Sequence, residues 1–394
     1  MRNILFILLI LGFFSCQKER DKDIYLGKLD EIIVGDFSIK KDSLTKTIHN
    51  IRVVKDEENE FIVTTSSARQ FKGWAFVFRS TETGEEDYRI EIPNEGPNSM
   101  KGGISGSIVS DFNTFFLIGS LGDIGRFDSL GNKLFQIKSE IEIPFSLDNM
   151  VKLEFRDGLS FFDSPFIQFG QNPSHPINLR DKPGPGEIRS EFSLDFTNWL
   201  TRVDVSSGKY FTSEFLIPEG YEKFQGDMTS TILFGAFDSK RGYYYLGWPY
   251  SNEIYVLEGI DLIRKIQPFT NFEFNFLPSE PLAVGQVFTA MVLPKEASEN
   301  IFLLYDEHKD LILKCSKIND SGFGETKFER TKHYVLSIYS GEWEHLGEYL
   351  FDFESELDLE NWFLTSEGLF INKPEQKSED EYEFYKIDLS KFSS

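Results

Sequence analysis

Residues Asp111–Ile137 have the sequence DFNTFFLIGSLGDIGRFDSLGNKLFQI, in which three short apolar runs are separated by polar turns. The runs have the length of β-strands and are rich in Phe, Leu and Ile. The residues Asp128–Asn132 between the last two runs are typical of a hairpin turn, in which Gly131 can adopt a positive φ angle. This stretch therefore predicts an antiparallel meander of short strands.

The same unit recurs along the chain, as in Ser230–Ile266 and, in part, Asn300–Ile318. Four-stranded units at this spacing are typical of a β-propeller, in which each blade buries its faces only against its neighbours, so the ring must close. We therefore predict an all-β fold, a six-bladed propeller, with Glu31–Val34 as the outer strand of the last blade. A seven-bladed propeller and tandem β-sandwiches are the alternatives. The predicted blades occupy residues 58–92, 103–138, 150–217, 228–267, 285–345 and 350–389.

The composition also favours β-structure, because the 394 residues include 40 Phe and 15 Tyr. Aromatic side chains fill the pleated, half-buried surfaces of sheets, whereas long helices favour Ala, Leu and Glu. The chain has 64 acidic and 41 basic residues, a net charge of −23. Because phosphate binding needs basic patches, this charge argues against nucleic acid as a partner.

The N-terminus has the pattern of an export signal. A positively charged start is followed by the apolar run Ile4–Phe14, then by Ser15 and Cys16. A run of about eleven apolar residues is too short for a stable membrane span. We predict a lipoprotein signal peptide over 1–15, lipidation of Cys16, a tether over 16–28 and a single propeller domain over 29–394. An ordinary secretory signal and an uncleaved anchor are the alternatives.

The N-terminal lipid anchor predicts the location and one partner of the protein. Acyl chains on Cys16 would attach it stably to a membrane. We therefore expect an outer-membrane lipoprotein that faces either the periplasm or the cell surface. The other cysteine, Cys315, lies in a strand-like apolar run. We predict a buried free thiol there and no disulfide.

Two segments carry a resemblance to a known family. They are Tyr88–Met100, which contains the turn Glu95-Gly-Pro-Asn98, and the hairpin Phe127-Asp-Ser-Leu-Gly-Asn-Lys133. Together they resemble Bacteroidetes lipoproteins of domain-of-unknown-function family 4221, although Ser99 replaces a glycine. The resemblance implies a TolB-like six-bladed propeller with a lipid cysteine, and it implies no activity.

The candidate ligand-binding residues are polar or aromatic side chains in predicted loops. Trp248, Tyr250 and Asn252 lie between two strands of one blade, where exposed rings can stack on sugars or peptides. The alternative is that Trp248 packs between blades. Glu95 and Asn98 are candidates in the turn named above, with turn formation as the alternative. Arg126 is a candidate cation of the central channel.

The sequence contains no signature of a particular reaction. It has no Gly-x-Ser-x-Gly elbow, and its five histidines lack the spacing of a metal site. We therefore assign no catalytic residues and expect no metal and no cofactor, with calcium held by distant loops as the alternative. The expected function is a binding or protein-interaction module for an envelope protein or glycan. A propeller-type hydrolase or lyase acting on glycans or peptides is the alternative.

Overall fold

The strands of the chain form a closed ring of small antiparallel sheets. The computed structural model describes residues 25–41, 48, 51–56, 59–68, 73–100, 104–119, 122–138, 152–173, 175–176, 190–191, 193–225, 227, 229–284, 288–322, 330–354 and 359–392. The predicted signal peptide and Cys16 lie outside these residues. No helix in the described ranges is long and apolar enough to cross a membrane.

The described part of the chain begins with two strands that belong to the last two blades, β1 (Tyr25–Lys28) and β2 (Ile33–Lys40). The first blade then contains β3 (Arg52–Asp56), β4 (Asn59–Ala68), β5 (Gly73–Ser80) and β6 (Glu86–Pro93). The second contains β7 (Ile104–Asp111), β8 (Thr114–Gly119), β9 (Asp123–Phe127) and β10 (Lys133–Lys138).

The third blade has an interrupted inner strand. It contains β11 (Lys152–Glu154), β12 (Phe161–Asp163), β13 (Phe166–Asn172), β16 (Leu200–Asp204) and β17 (Tyr210–Thr212), and a hairpin of β14 (His175–Pro176) and β15 (Ser190–Glu191) lies between them in the chain. Both β11 and β12 pair with β13. The fourth blade contains β18 (Phe234–Asp238), β19 (Tyr243–Trp248), β20 (Ser251–Glu258) and β21 (Asp261–Ile266).

A second hairpin, β22 (Glu280–Val284) and β23 (Phe288–Val292), leads into the fifth blade. That blade contains β24 (Glu299–Asp306), β25 (Leu311–Ser321), β26 (Thr331–Ser340) and β27 (His345–Phe353). The sixth contains β28 (Trp362–Thr365), β29 (Gly368–Asn372) and β30 (Glu381–Ile387). The described helical segments are single 3-10 turns at Leu29–Glu31, Tyr221–Phe224 and Ser390–Phe392.

The ring is closed by the N-terminal strand β2, which pairs antiparallel with β30 and is the outer strand of the sixth blade. The prediction that Glu31–Val34 supplies this strand is confirmed, with the strand running from Ile33 to Lys40. The prediction of a six-bladed propeller is therefore confirmed. The alternatives, a seven-bladed propeller and tandem β-sandwiches, are wrong.

The tether predicted over 16–28 ends earlier than expected. Residues Tyr25–Lys28 form β1, which pairs in parallel with β27 as a fifth strand of the fifth blade. The backbone groups at the free edge of β27 explain this pairing, because an uncovered edge accepts a further strand. The first blade also begins earlier than predicted, since β3 contains only two apolar residues, Val53 and Val54, which are too few to indicate a strand.

The apolar core of the described residues consists of six clusters, one between each pair of neighbouring blades. Aromatic rings dominate several of them. Phe76 of the first blade packs on Phe115 of the second with ring centroids 5.3 Å apart. Trp199 and Trp248 join the third and fourth blades at 4.8 Å. The abundance of aromatic residues therefore reflects packing between blades. Cys315 is buried and free, as predicted.

Candidate functional site

The inner strand of every blade runs from one face of the ring to the other. We call the face at which these strands begin the entry face and the face at which they end the exit face. The inner strand of the third blade is broken between β11 and β12, and the residues of the break enter the central channel. We call this segment, Phe155–Ser160, the plug turn.

The plug turn contacts blades across the ring. Arg52 of the first blade donates hydrogen bonds from Nη2 to the carbonyl oxygen of Phe155 and, at 3.0 Å, to the Ser160 hydroxyl. Arg156 Nη2 donates to the carbonyl oxygen of Leu233 in the fourth blade at 2.7 Å. These bonds hold the plug turn in the channel, and the turn divides the channel into two cavities.

Gly158 is required at the tip of the plug turn for two reasons. Its φ angle is +73°, a left-handed conformation that side chains disfavour. A Cβ atom there would also lie 2.1 Å from the carbonyl oxygen of Gly235 in the inner strand of the fourth blade. The backbones of two blades therefore approach each other at a point where only glycine fits.

The cavity on the exit side has a volume of about 380 Å³ and is lined by residues of all six inner strands. Its apolar walls include Phe161, Phe162 and Phe237. Its charged or titratable lining residues are Arg52, Lys55, Glu60, Asp157, Tyr305, Glu307 and His308. A cavity that combines aromatic walls with a few polar groups is the usual form of a small-molecule site.

Asp157, in the plug turn, provides one of the carboxyl groups of this cavity. Its side chain is accessible from the cavity although other blades surround it. Burial raises the pKa of Asp157, and the charge of Arg52 and the backbone N–H of Gly158 offset only part of this effect. Burial likewise lowers the pKa of Arg52, partly offset by Asp157. Within the described residues, no side chain forms a hydrogen bond or an ion pair with Asp157.

The mouth of the cavity is surrounded by a polar network from four blades. Lys55 forms an ion pair with Glu307, and its Nζ atom lies 2.9 Å from Nε2 of His308. Glu60 accepts hydrogen bonds from the backbone and hydroxyl of Ser366 at 2.8 and 2.6 Å. Ser239 donates to Glu307 at 2.9 Å. The charged groups of the mouth therefore already have partners.

Glu60 shows how strongly this network favours charge. Burial would raise the pKa of Glu60, but the hydrogen bonds from Ser366 and His308 and the charge of Lys55 bring it below its usual value. Glu60 is therefore held as a carboxylate, whereas burial shifts the pKa of Asp157 in the opposite direction.

A second cavity of about 400 Å³ opens on the entry side of the plug turn. Its lining is more evenly charged and includes Arg156, Lys317, Asp320 and Lys332. Lys317 Nζ lies 3.2 Å from Oδ1 of Asp320. Since the opposite charges of this cavity lie close together, it offers a ligand less uncompensated charge than Asp157 does.

The structure places Trp248 and Tyr250 in the core. The Trp248 side chain is fully buried, and Tyr250 is 3% exposed. The Tyr250 hydroxyl donates to Asp227 at 3.0 Å. Neither ring has a face available to a ligand, because the turn between β19 and β20 folds inward between the third and fourth blades. This corrects the expectation of an exposed aromatic platform.

Asn252 is half-buried beside an open groove formed with Gln267–Phe274. Its Oδ1 atom has no hydrogen-bond partner among the described residues. Asn252 is the member of that predicted group that lines an open groove, but it lines neither channel cavity.

Asn98 joins the two segments that carry the family resemblance. Its Oδ1 atom accepts from the backbone of Lys133 at 3.2 Å, and Lys133 Nζ donates to the carbonyl oxygen of Ser99 at 2.8 Å. The turn and the hairpin therefore form one structural contact between the first and second blades. Glu95 is exposed in the same turn and lines neither cavity.

Arg126 does not reach the channel. It lies on β9, the third strand from the axis, and donates to Thr114 at 3.1 Å. Because neighbouring strands are about 4.8 Å apart, two strands separate it from the cavity. The expected channel cation is instead Arg52, on an inner strand.

Arg52, Asp157 and the mouth residues were not predicted from the sequence. One local signal was available: Arg156-Asp157-Gly158 lies near the start of the predicted blade block 150–217. Such a turn signal inside a strand pattern indicates a close backbone approach. Within the described ranges, no group of three His, Cys, Asp or Glu side chains could hold a metal ion.

A closed ring of six blades with a plugged channel defines the chain as a β-propeller. Neither a family model nor a curated protein matches it. A solved structure of a member of the duf4221 family from Bacteroides vulgatus is similar, with a TM-score of 0.63, 12% identity and coverage of 91% of this chain and 97% of that one. At this identity the likeness establishes the fold, which is the fold that the resemblance implied.

Two further solved structures were found with lower scores. The WD40 domain of coronin from Toxoplasma gondii has a TM-score of 0.40 at 8% identity, over 92% of this chain and 89% of that one. BamB from Moraxella catarrhalis has a TM-score of 0.35 at 10% identity, over 86% and 85%. Both scores are too low to support an argument about this chain.

Proposed function

We propose that the chain is a divergent member of domain-of-unknown-function family 4221 and a lipid-anchored binding module of the cell envelope. The observation that supports binding is the exit-side cavity, which all six inner strands line and which contains an accessible carboxyl group without a side-chain partner among the described residues. The propeller fold suits such a role, because its inner strands bring distant parts of the chain to one cavity.

Binding is favoured over the alternative of a hydrolase or lyase. The raised pKa of Asp157 is a property that catalytic acids share. Glycosidic chemistry would require a second carboxyl group poised beside it. The other carboxyl groups that line this cavity, Glu60 and Glu307, are engaged by Ser366, His308, Lys55 and Ser239.

Filling the cavity should abolish binding. Ser110 lines the exit-side cavity, and Ser110→Trp would occupy much of its volume. We expect ligand captured by the lipidated protein from its native envelope, identified by mass spectrometry, to be lost with this variant. Leu130→Trp is the matched control, since Leu130 is 75% exposed in a turn of the same blade. Equal recovery with both variants would place the binding site elsewhere.

The attachment of β1 supports a particular orientation on the membrane. Tyr25 pairs with Gly347 and Lys28 with Leu350, so β1 runs in the same direction as β27, from the exit face to the entry face. The chain therefore leaves Tyr25 toward the exit face. Eight residues separate Tyr25 from Cys16, a reach of at most about 30 Å. We propose that the exit face, with the mouth of the cavity, is the one nearer the membrane.

Thiol labelling would test this orientation. In a Cys315→Ser background, Glu342→Cys reports on the exit face and Glu296→Cys on the entry face; both positions are exposed. We expect a bulky maleimide to label the first position several-fold more slowly in the membrane-bound protein than in the Cys16→Ser form, which lacks the lipid. The second position should label equally in both. The reverse pattern would contradict the orientation, and membrane binding of the Cys16→Ser form would contradict the anchor.

A further inference from the structure

We propose that the exit-side cavity binds a ligand through a cationic amine, a primary ammonium or guanidinium group, which pairs with the Asp157 carboxylate. This inference rests on the proposed binding function and specifies the chemical class of the ligand. The charged groups of the cavity differ in whether they already have partners.

The cations of the cavity are occupied. Arg52 is only 6% exposed, and its Nη2 atom donates to the backbone of Phe155 and to Ser160. Lys55 is paired with Glu307 and lies 3.7 Å from Glu60. An anionic ligand would therefore compete with Glu307 for Lys55, and with Phe155 and Ser160 for the Nη2 atom of Arg52.

Asp157 differs from the other carboxyl groups of the cavity. Among the described residues, Arg52 is the only one whose charge shifts the pKa of Asp157. The two side chains form no ion pair in the described structure. Since an isolated carboxylate is costly to keep away from bulk water, an incoming cation would supply the missing partner. A hydrogen bond between two charged groups is also stronger than one between neutral groups.

The walls and the overall charge favour the same ligand class. Phe161 stacks on Phe237 with ring centroids 4.7 Å apart, and both line the cavity beside Asp157. Aromatic faces attract cations. The net charge of −23 would also raise the local concentration of cationic ligands and accelerate their approach. The ligand that fits is therefore an amine carried on an apolar or aromatic stem.

Benzylamine, benzyl alcohol and benzoate provide three probes of similar shape and different charge. We expect isothermal titration calorimetry on the full folded chain at neutral pH to show benzylamine binding about tenfold or more tightly than the other two. Asp157→Asn should remove this preference. The preference should also weaken in acid, because a protonated carboxyl group cannot pair with an ammonium ion and the pKa of Asp157 lies above its usual value.

Asp87→Asn is the matched control, since it removes the same charge from an exposed position of the first blade. Equal affinity for benzylamine and benzyl alcohol, no binding of benzylamine, or a preference that survives Asp157→Asn would each overturn the inference. Loss of a captured envelope ligand in Ser110→Trp would still support the binding function in those cases. The two proposals can therefore fail separately.

Discussion

Replacing Trp248 with alanine is expected to destabilise the propeller by about 3–5 kcal/mol, the usual cost of removing a large buried aromatic side chain. Trp248 is fully buried and contacts the rings of Trp199, Tyr221 and Tyr255 at centroid distances of 4.8, 5.6 and 5.7 Å. The truncation would leave a cavity between the third and fourth blades. Since natural domains are stable by only about 5–15 kcal/mol, the effect would be a large fraction of the total.

Chemical denaturation followed by circular dichroism would measure the change. Phe269→Ala is a suitable control, because Phe269 is an aromatic residue that is 55% exposed; we expect its effect to stay within about 1 kcal/mol. The experiment separates the two roles considered for Trp248. A core residue lowers stability when truncated, whereas a ligand platform lowers affinity and leaves stability unchanged. A small loss of stability in Trp248→Ala would contradict the core role and favour the role of Trp248 as a ligand platform.

Placing a charge at Ile39 should have an even larger effect, because it would disrupt the closure of the ring. Ile39 lies on β2, is fully buried and packs in the cluster between the sixth and first blades. Ile39→Asp would remove apolar contacts and bury an unpaired carboxylate. We expect a loss of more than about 4 kcal/mol. Much of the protein should then be unfolded or open.

Limited proteolysis and size-exclusion chromatography would detect the opened ring. Val34→Asp places the same charge on the same strand, but Val34 is 59% exposed, so its effect should be small. If the two variants resisted protease equally, β2 would not be the strand that closes the ring.

The fold could be predicted because its determinants are local. In Asp111–Ile137, short apolar runs alternate with turn residues, and the structure places β8, β9 and β10 on those runs. The outer strand of the sixth blade could also be inferred, because a ring must close and the N-terminal apolar run was unassigned. Local patterns were insufficient to predict β3, because charged residues flank the two apolar residues of this short strand.

The site was harder to predict because exposure depends on the whole ring. The turn that contains Trp248 and Tyr250 looks like a loop in the sequence, yet the third and fourth blades enclose it. Arg126 occurs in a recognisable strand, β9. Its distance from the channel depends on the place of that strand in the blade, where it is the third from the axis. Asn98, by contrast, proved to be a turn residue whose contacts hold together the two segments that carry the family resemblance.

The sequence by itself determined the class of fold and the aromatic filling between blades, and it predicts an export signal whose cysteine we expect to anchor the protein. These properties depend on neighbouring residues, whose apolar, polar and turn-forming character can be read directly. Only the tertiary structure decided which groups meet in the channel. Arg52, Asp157 and His308 are far apart in the chain and line one cavity because the ring closes and the plug turn enters it. No local pattern of the sequence encodes this arrangement of residues, and the arrangement leaves Asp157 accessible to a ligand.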